Sequence, residues 1–292
     1  MKPLPNFNLH RPRTLKEALM LLEELEGSRP IAGGTDLLVL LREGDVSVEH
    51  LVDLGNLIEL SYIREDGGTV HIGAATTHHQ LLKSEFIAAK VPMLREAVAS
   101  IGSVQIRNRG TIGGNLCNAS PAADTAPPLM VLEAEATISA LEKQRTFPII
   151  NLFTGPKMTS LSPGELLTEI SFRVPPKGSG TSFHKLGRRK GFTLSVVNAA
   201  AYLEQERDTC VDARVALGAV ASTPLRMHII EAMLRGEALS LQLIEAAALA
   251  CRDFVKPIDD VRASAEYRRE MSRVLVKRVF TAAWERAKRN VE

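Results

Sequence analysis

The sequence predicts an α+β fold in two parts, and three observations carry that prediction. Strand-like and helix-like runs come in blocks and do not alternate as regular βαβ units. Composition breaks at Val174-Pro-Pro-Lys-Gly-Ser-Gly180, which reads as a linker. Beyond it, three strand-like runs precede a remainder that is helical.

The first helix starts at Thr14-Leu-Lys-Glu17, a capping box in which hydroxyl and carboxylate satisfy free backbone donors. Ala18, Leu19, Leu22 and Leu25 then recur at helical spacing, and Gly27 ends the run. Pro30-Ile-Ala32 is a short apolar stretch, Leu37–Leu41 is helical and His50–Leu54 is a short strand. Residues 61–76 read as a hairpin turning at Gly67-Gly68. Thr77 to Gln80 is a second capping box, and Pro92 opens a helix to about Ser100. Residues 101–128 fit no plain element until about Thr125. Ala136–Ala140 and Leu166–Val174 are strand-like.

After the linker, Thr181–Leu186, Leu194–Leu203 and Val211–Val220 are strands. In the last, Val211, Ala213, Val215 and Leu217 alternate with Asp212 and Arg214, as in a sheet with one wet face. The final helix keeps three/four spacing through Tyr267, Met271, Val274, Leu275, Val279, Ala282 and Ala283.

Bulk composition narrows the function. The 292 residues are 45% hydrophobic and 24% charged, enough for a sizeable core. A net charge of +2 is too mild to point to nucleic acid. Cys117, Cys210 and Cys251 are far apart and form no CxxC pair, so no local zinc or iron–sulfur site is encoded. Sparse thiols and the absence of a signal-type or membrane-spanning apolar run lead to the expectation of a soluble, cytoplasmic protein.

Two segments need glycine for more than turning. In Ala32-Gly33-Gly34-Thr35-Asp36, successive amides can form an anion nest, and Asp36 is placed to cap the next helix. The positive end of that helix would point at the same spot. Thr111-Ile-Gly113-Gly114-Asn115 repeats the combination of hydroxyl, glycines and amide. One such loop suggests a phosphate, and two suggest a pyrophosphate held from both sides. Each Gly-Gly alone is as well explained as an ordinary turn, and neither matches G-x-G-x-x-G or a P-loop.

The pair formed by 32–36 and Thr-Ile-Gly-Gly-Asn-Leu-Cys-Asn-Ala-Ser-Pro-Ala-Ala-Asp at 111–124 resembles the signature of the molybdenum hydroxylase flavoprotein subunit. This is the medium chain of carbon monoxide dehydrogenase and the flavin domain of xanthine dehydrogenase. The resemblance spans nearly the whole chain, from Arg11-Pro-Arg-Thr-Leu to the terminal helix. It implies a two-lobed FAD-binding domain of vanillyl-alcohol oxidase (PCMH) type at 1–176, with lobes of about 1–55 and 56–176. A smaller domain with a three-stranded antiparallel sheet and helices follows at 177–292.

The same resemblance implies an FAD site made of Ala32, Gly33, Gly34, Thr35 and Asp36 with Thr111, Gly113, Gly114 and Asn115. It adds Asp124 as a carboxylate on the FAD, and Ile101 and Leu166 (or Leu167) as apolar contacts. Plain core is an equal explanation for either leucine and the better one for Ile101. Lys185 resembles a lysine at the flavin's pyrimidine edge, with His184 able to take that place and a solvent-exposed lysine the bland alternative. Arg189-Lys-Gly-Phe-Thr-Leu194 departs from the family pattern: Gly191 stands where an acid is expected, and Thr193 or Phe192 where an aromatic covers the flavin.

The function implied is an electron-transfer subunit. A large molybdopterin-binding subunit and a small [2Fe-2S] subunit would be its partners, in a dimer of heterotrimers. NAD, a quinone or another acceptor would take the electrons. A stand-alone FAD oxidoreductase on the same fold is the alternative. It would need a proton donor or base beside the flavin, and the histidines form no recognisable set; His78-His79 reads as a solvated pair at a helix start. A further alternative is an assembly protein that has lost FAD. Two basic sets are candidate docking residues: Arg188, Arg189 and Lys190, then Arg268, Arg269, Arg273, Lys277 and Arg278. For both, a solvated face is the commoner explanation.

Overall fold

A computed structural model describes residues 3–189 and 193–290. The chain begins with β1 (Asn8–His10), α1 (Leu15–Glu24), β2 (Ser28–Ile31), α2 (Leu37–Glu43) and β3 (His50–Asp53). The three strands form a parallel sheet in the order β1-β3-β2, so β2 is an edge strand. Ala18, Leu19 and Leu22, the apolar face of α1, bury against Val52 and Leu54. Thr14 caps α1 by accepting from the Glu17 amide. The expected capping box is only half formed, because the Glu17 carboxylate takes the Arg13 amide and not that of Thr14.

Next come β4 (Ile63–Asp66), β5 (Thr69–Gly73), α3 (His78–Lys83), α4 (Glu85–Lys90), α5 (Pro92–Ala99), α6 (Val104–Arg109), α7 (Ile112–Cys117) and α8 (Ala126–Val131). They are followed by β6 (Glu135–Ser139), β7 (Gln144–Pro148), β8 (Phe153–Gly155), β9 (Met158–Thr159) and β10 (Leu166–Arg173). β4-β5-β10-β6-β7 make an antiparallel sheet, and β8 and β9 pair separately. The Thr77–Gln80 capping box is complete at the start of α3. One face of the five-stranded sheet buries Val70, Ile72 and Ile170 with Leu81, Met93 and Leu129 from the helices, each side chain contributing about 1.5–3 kcal/mol.

The last part comprises β11 (Ser179–Gly187), β12 (Ser195–Glu206), β13 (Thr209–Gly218), β14 (Leu225–Arg226), α9 (His228–Ala232), α10 (Leu241–Ala250) and α11 (Ala265–Arg289). The three long strands form an antiparallel sheet to which the two-residue β14 adds an edge. One face packs on α11 through Leu275, Val279 and Phe280. The other face is not wet as the alternation in β13 suggested. Phe183, Ala200, Tyr202 and Ala216 bury into the core that holds α5 and α8.

That packing is tied by polar groups as well. Arg286 on α11 pairs with Glu96 on α5, and Glu96 accepts from the Phe183 amide at 3.0 Å. The basic set on α11 is largely spoken for. Arg268 is 1% exposed and donates to Val196 O, Ala219 O and Asp260, so it cannot dock a partner. Arg269, Arg273 and Lys277 pair with glutamates. Arg188 donates to Val261 O, while Lys190, like Gly191 and Phe192, lies outside the described residues. Among the described residues, no helix is long and apolar enough to cross a membrane.

Candidate functional site

The Ala32–Asp36 turn leaves the end of edge strand β2 and enters α2. Gly34 sits at φ +71°, a conformation that L side chains resist. Among the described residues, the amides from Ala32 to Asp36 have no hydrogen-bond partner within the fold. Because β2 is an edge, nothing on that side consumes them. Asp36 holds the N-cap position of α2, but its side chain makes no capping bond, contrary to the expectation from sequence. A row of unspent N–H groups at a helix start is what an anion requires.

The second glycine segment lies directly against the first. A Cβ built on Gly33 would overlap the Arg109 carbonyl oxygen and come within 2.9 Å of Gly110 Cα. Only glycine permits that approach. Gly110 leads straight into Thr111, the N-cap of α7.

In one respect the second segment differs from the expectation. It is not an open loop, and its amides from Ile112 to Asn115 are spent. Ile112 N donates to Thr76 O at 3.0 Å and Gly113 N to Ala74 O at 2.9 Å. Gly114 N donates to the Thr111 hydroxyl and Asn115 N to Thr111 O, both at 3.0 Å. The helix start is thus sewn to the residues that follow β5. A Cβ on Gly113 would fall 2.6 Å from Ala74 Cβ, so this glycine serves packing.

Both segments line one cleft of about 1180 Å³. Ala32, Gly33, Gly34, Thr35 and Asp36 form part of its wall, with Thr111, Gly114, Asn115 and Ile101. Residues 22–31 line it on the β2 side, and Lys157 and 161–165 complete it. Lys157 holds Asn118 Oδ1 at 2.9 Å. Glu165 is fixed by Arg145, whose hydrogen bond keeps its carboxyl below the usual range. Asn115 Oδ1 accepts from Thr125 at 2.6 Å.

Other expected site residues stand outside this lining. Gly113 is enclosed behind the α7 start. Leu166 is 4% exposed and packs with α1, and Leu167 joins the main core. Asp124 and Lys185 meet each other: Lys185 Nζ donates to Asp124 Oδ2 at 2.6 Å and to Ser100 O at 3.0 Å. Asp124 Oδ1 accepts from Ser195 Oγ at 2.6 Å and Asn198 Nδ2 at 2.7 Å. Lys185 is therefore a buried pair member and not a solvated lysine.

This network abuts the cleft at residues 99–102. Arg107 Nη1 donates to Ile101 O at 2.8 Å and to Ala99 O and Gly102 O at 3.4 Å. With Lys185 on Ser100 O, two cations bind the successive carbonyls of the turn that presents Ile101.

The sequence reading missed His78. It is not solvated: it is 2% exposed and lines the cleft. Burial, and secondarily the charge of Arg107, push its pKa down to about 4, so the ring is neutral. Its place as the first residue after the Thr77 cap was visible in the sequence, but the helices that bury it were not.

Comparison with known proteins shows the family. The family model described as "FAD binding domain in molybdopterin dehydrogenase" matches residues 5–176, and "CO dehydrogenase flavoprotein C-terminal domain" matches 182–283. The chain is 38% identical over 284 residues to the carbon monoxide dehydrogenase medium chain of Afipia carboxidovorans, covering 97% of this chain and 98% of that one. It is 34% identical over 276 residues to the xanthine dehydrogenase FAD-binding subunit of Escherichia coli O157:H7, covering 94% of each. A solved structure of carbon monoxide dehydrogenase from Hydrogenophaga pseudoflava superposes with a TM-score of 0.94 at 35% identity, covering 97% of this chain and 99% of that one. With both family models matched in order and relatives aligned over almost their full length, the chain belongs to the FAD-binding flavoprotein subunits of the molybdenum hydroxylases, the oxidoreductase family of the carbon monoxide and xanthine dehydrogenase medium chains.

Proposed function

We propose that this chain holds FAD in the cleft and acts as the electron-transfer subunit of a molybdenum hydroxylase. It takes electrons from a [2Fe-2S] cluster of a small partner subunit and delivers them to NAD or another acceptor, while a large molybdopterin subunit oxidises the substrate. The observation that carries this reading is the row of unpartnered amides at 32–36, closed on one side by Arg109 and Gly110. Bound FAD supplies a carrier that accepts electrons singly and releases them as a pair.

The chain's own residues bind and tune. The 32–36 amides and the Thr35 hydroxyl take the diphosphate. Asn115 and Asn118 stand beside it in the wall, and Ile101 offers an apolar surface at one end. Lys185 lies behind Ile101 with Asp124 as its counter-ion, and its charge is expected to favour electron arrival nearby. A two-part division at about residue 177 fits the family matches and the strand order.

The test is purification of the chain with and without its neighbours. The expected result is a flavin spectrum, FAD on release, and bleaching by substrate only when the molybdenum and iron–sulfur subunits are present. A chain that reduces or oxidises a small substrate alone would overturn it.

A further inference from the structure

We propose that His78 is a ligand of the cofactor, donating from Nε2 to an oxygen of the FAD diphosphate that the 32–36 turn receives. This rests on the reading of the cleft as the FAD site. The inference starts from an unpaid polar group. His78 Nδ1 is fully enclosed and has no hydrogen-bond partner. Among the described residues Nε2 makes no hydrogen bond either, yet it is not among the enclosed, unpartnered atoms. It is therefore the ring nitrogen that keeps an opening, and the residue opens onto the cleft. Buried polar atoms without partners are rare in folded proteins; with Nδ1 enclosed, Nε2 is the nitrogen of this cleft-lining ring left to meet a ligand.

The position agrees. The His78 amide donates to Gly110 O at 2.9 Å. The point where a Cβ on Gly110 would sit lies 3.2 Å from His78 Cδ2, the carbon bonded to Nε2, and 3.5 Å from Thr35 Oγ1. The imidazole and the Thr35 hydroxyl thus converge beside the residue that joins the two glycine segments. A neutral imidazole carries one N–H. Placing it on Nε2 gives the cleft a donor and leaves only a lone pair enclosed at Nδ1. Neutrality follows from the burial already described.

The test uses full-length apoprotein stripped of flavin, with affinity read from the quenching of FAD fluorescence. His78→Gln puts a donor near the Nε2 position and is expected to bind FAD within about threefold of wild type. His78→Phe, and His78→Asn with its donor nearer Nδ1, are expected to lose roughly tenfold to a hundredfold. Riboflavin, which has no phosphate, is expected to bind all of them alike, whereas ADP follows FAD. Equal FAD affinity in wild type and the Phe and Asn variants overturns the proposal. So does a loss shared equally by riboflavin, which would make His78 a packing residue. If the Phe variant fails to fold, the Gln and Asn pair decides. A wild-type chain that binds neither FAD nor ADP overturns the functional reading itself, a different result from wild-type binding with indifferent variants.

Discussion

Lys185 Nζ lies 2.6 Å from Asp124 Oδ2, with both side chains more than nine-tenths buried. The pair joins β11 to the stretch before α8. Breaking it strands a charge: Lys185→Met leaves Asp124 with only the Ser195 and Asn198 hydrogen bonds. A loss of about 3–5 kcal/mol is expected from one-sided removal of a buried pair. Asp124→Asn combined with Lys185→Met should cost less than the sum of the single changes. Denaturant unfolding of the three variants checks this, and additive losses would refute the coupling.

Gly33 and Gly34 are expected to fail differently. Gly33→Ala drives a Cβ into the Arg109 carbonyl and must part the two glycine segments. FAD content after purification should fall to background. Gly34→Ala is strained through its positive φ and costs about 1 kcal/mol or more. It should retain FAD at lowered stability.

His78 makes stability depend on pH in a definite direction. Its folded pKa of about 4 lies below the ordinary 6.5, so between those values the unfolded chain binds a proton that the folded chain refuses. The contribution is complete above pH 6.5 and is lost as pH falls toward 4, by about 3 kcal/mol in all. Unfolding of the apoprotein across that range should show a steeper acid loss in wild type than in His78→Gln. Identical pH profiles would contradict the assignment.

Arg107 is expected to order the turn at 99–102. Arg107→Met releases the carbonyls of Ala99, Ile101 and Gly102 together. Amide exchange around Ile101 should quicken, and FAD should bind about tenfold more weakly, as for loss of a charged hydrogen bond. Unchanged exchange would show that packing alone holds the turn.

Local signals in the sequence located elements well because their physics is local. The Thr77–Gln80 box and the Pro92 start appear where expected. What the sequence hid depends on distant neighbours. Nothing in Thr111–Asn115 reveals that Ala74 and Thr76 present carbonyls to its amides, so a cap-and-helix start resembled an open nest. Likewise, the polar residues of β13 suggested a wet face, while Ala216 on the same strand buries in the core shared with α8. The Asp124–Lys185 contact spans 61 residues and left no local trace. His78 was misjudged for the same reason, since its burial comes from its tertiary surroundings.

The most direct test is a crystal structure of the full chain with FAD. The diphosphate oxygens should lie within hydrogen-bond distance of backbone N–H groups between Ala32 and Asp36, beside Gly110 and Thr111. A diphosphate bound anywhere else, with those amides still facing solvent, would contradict the account.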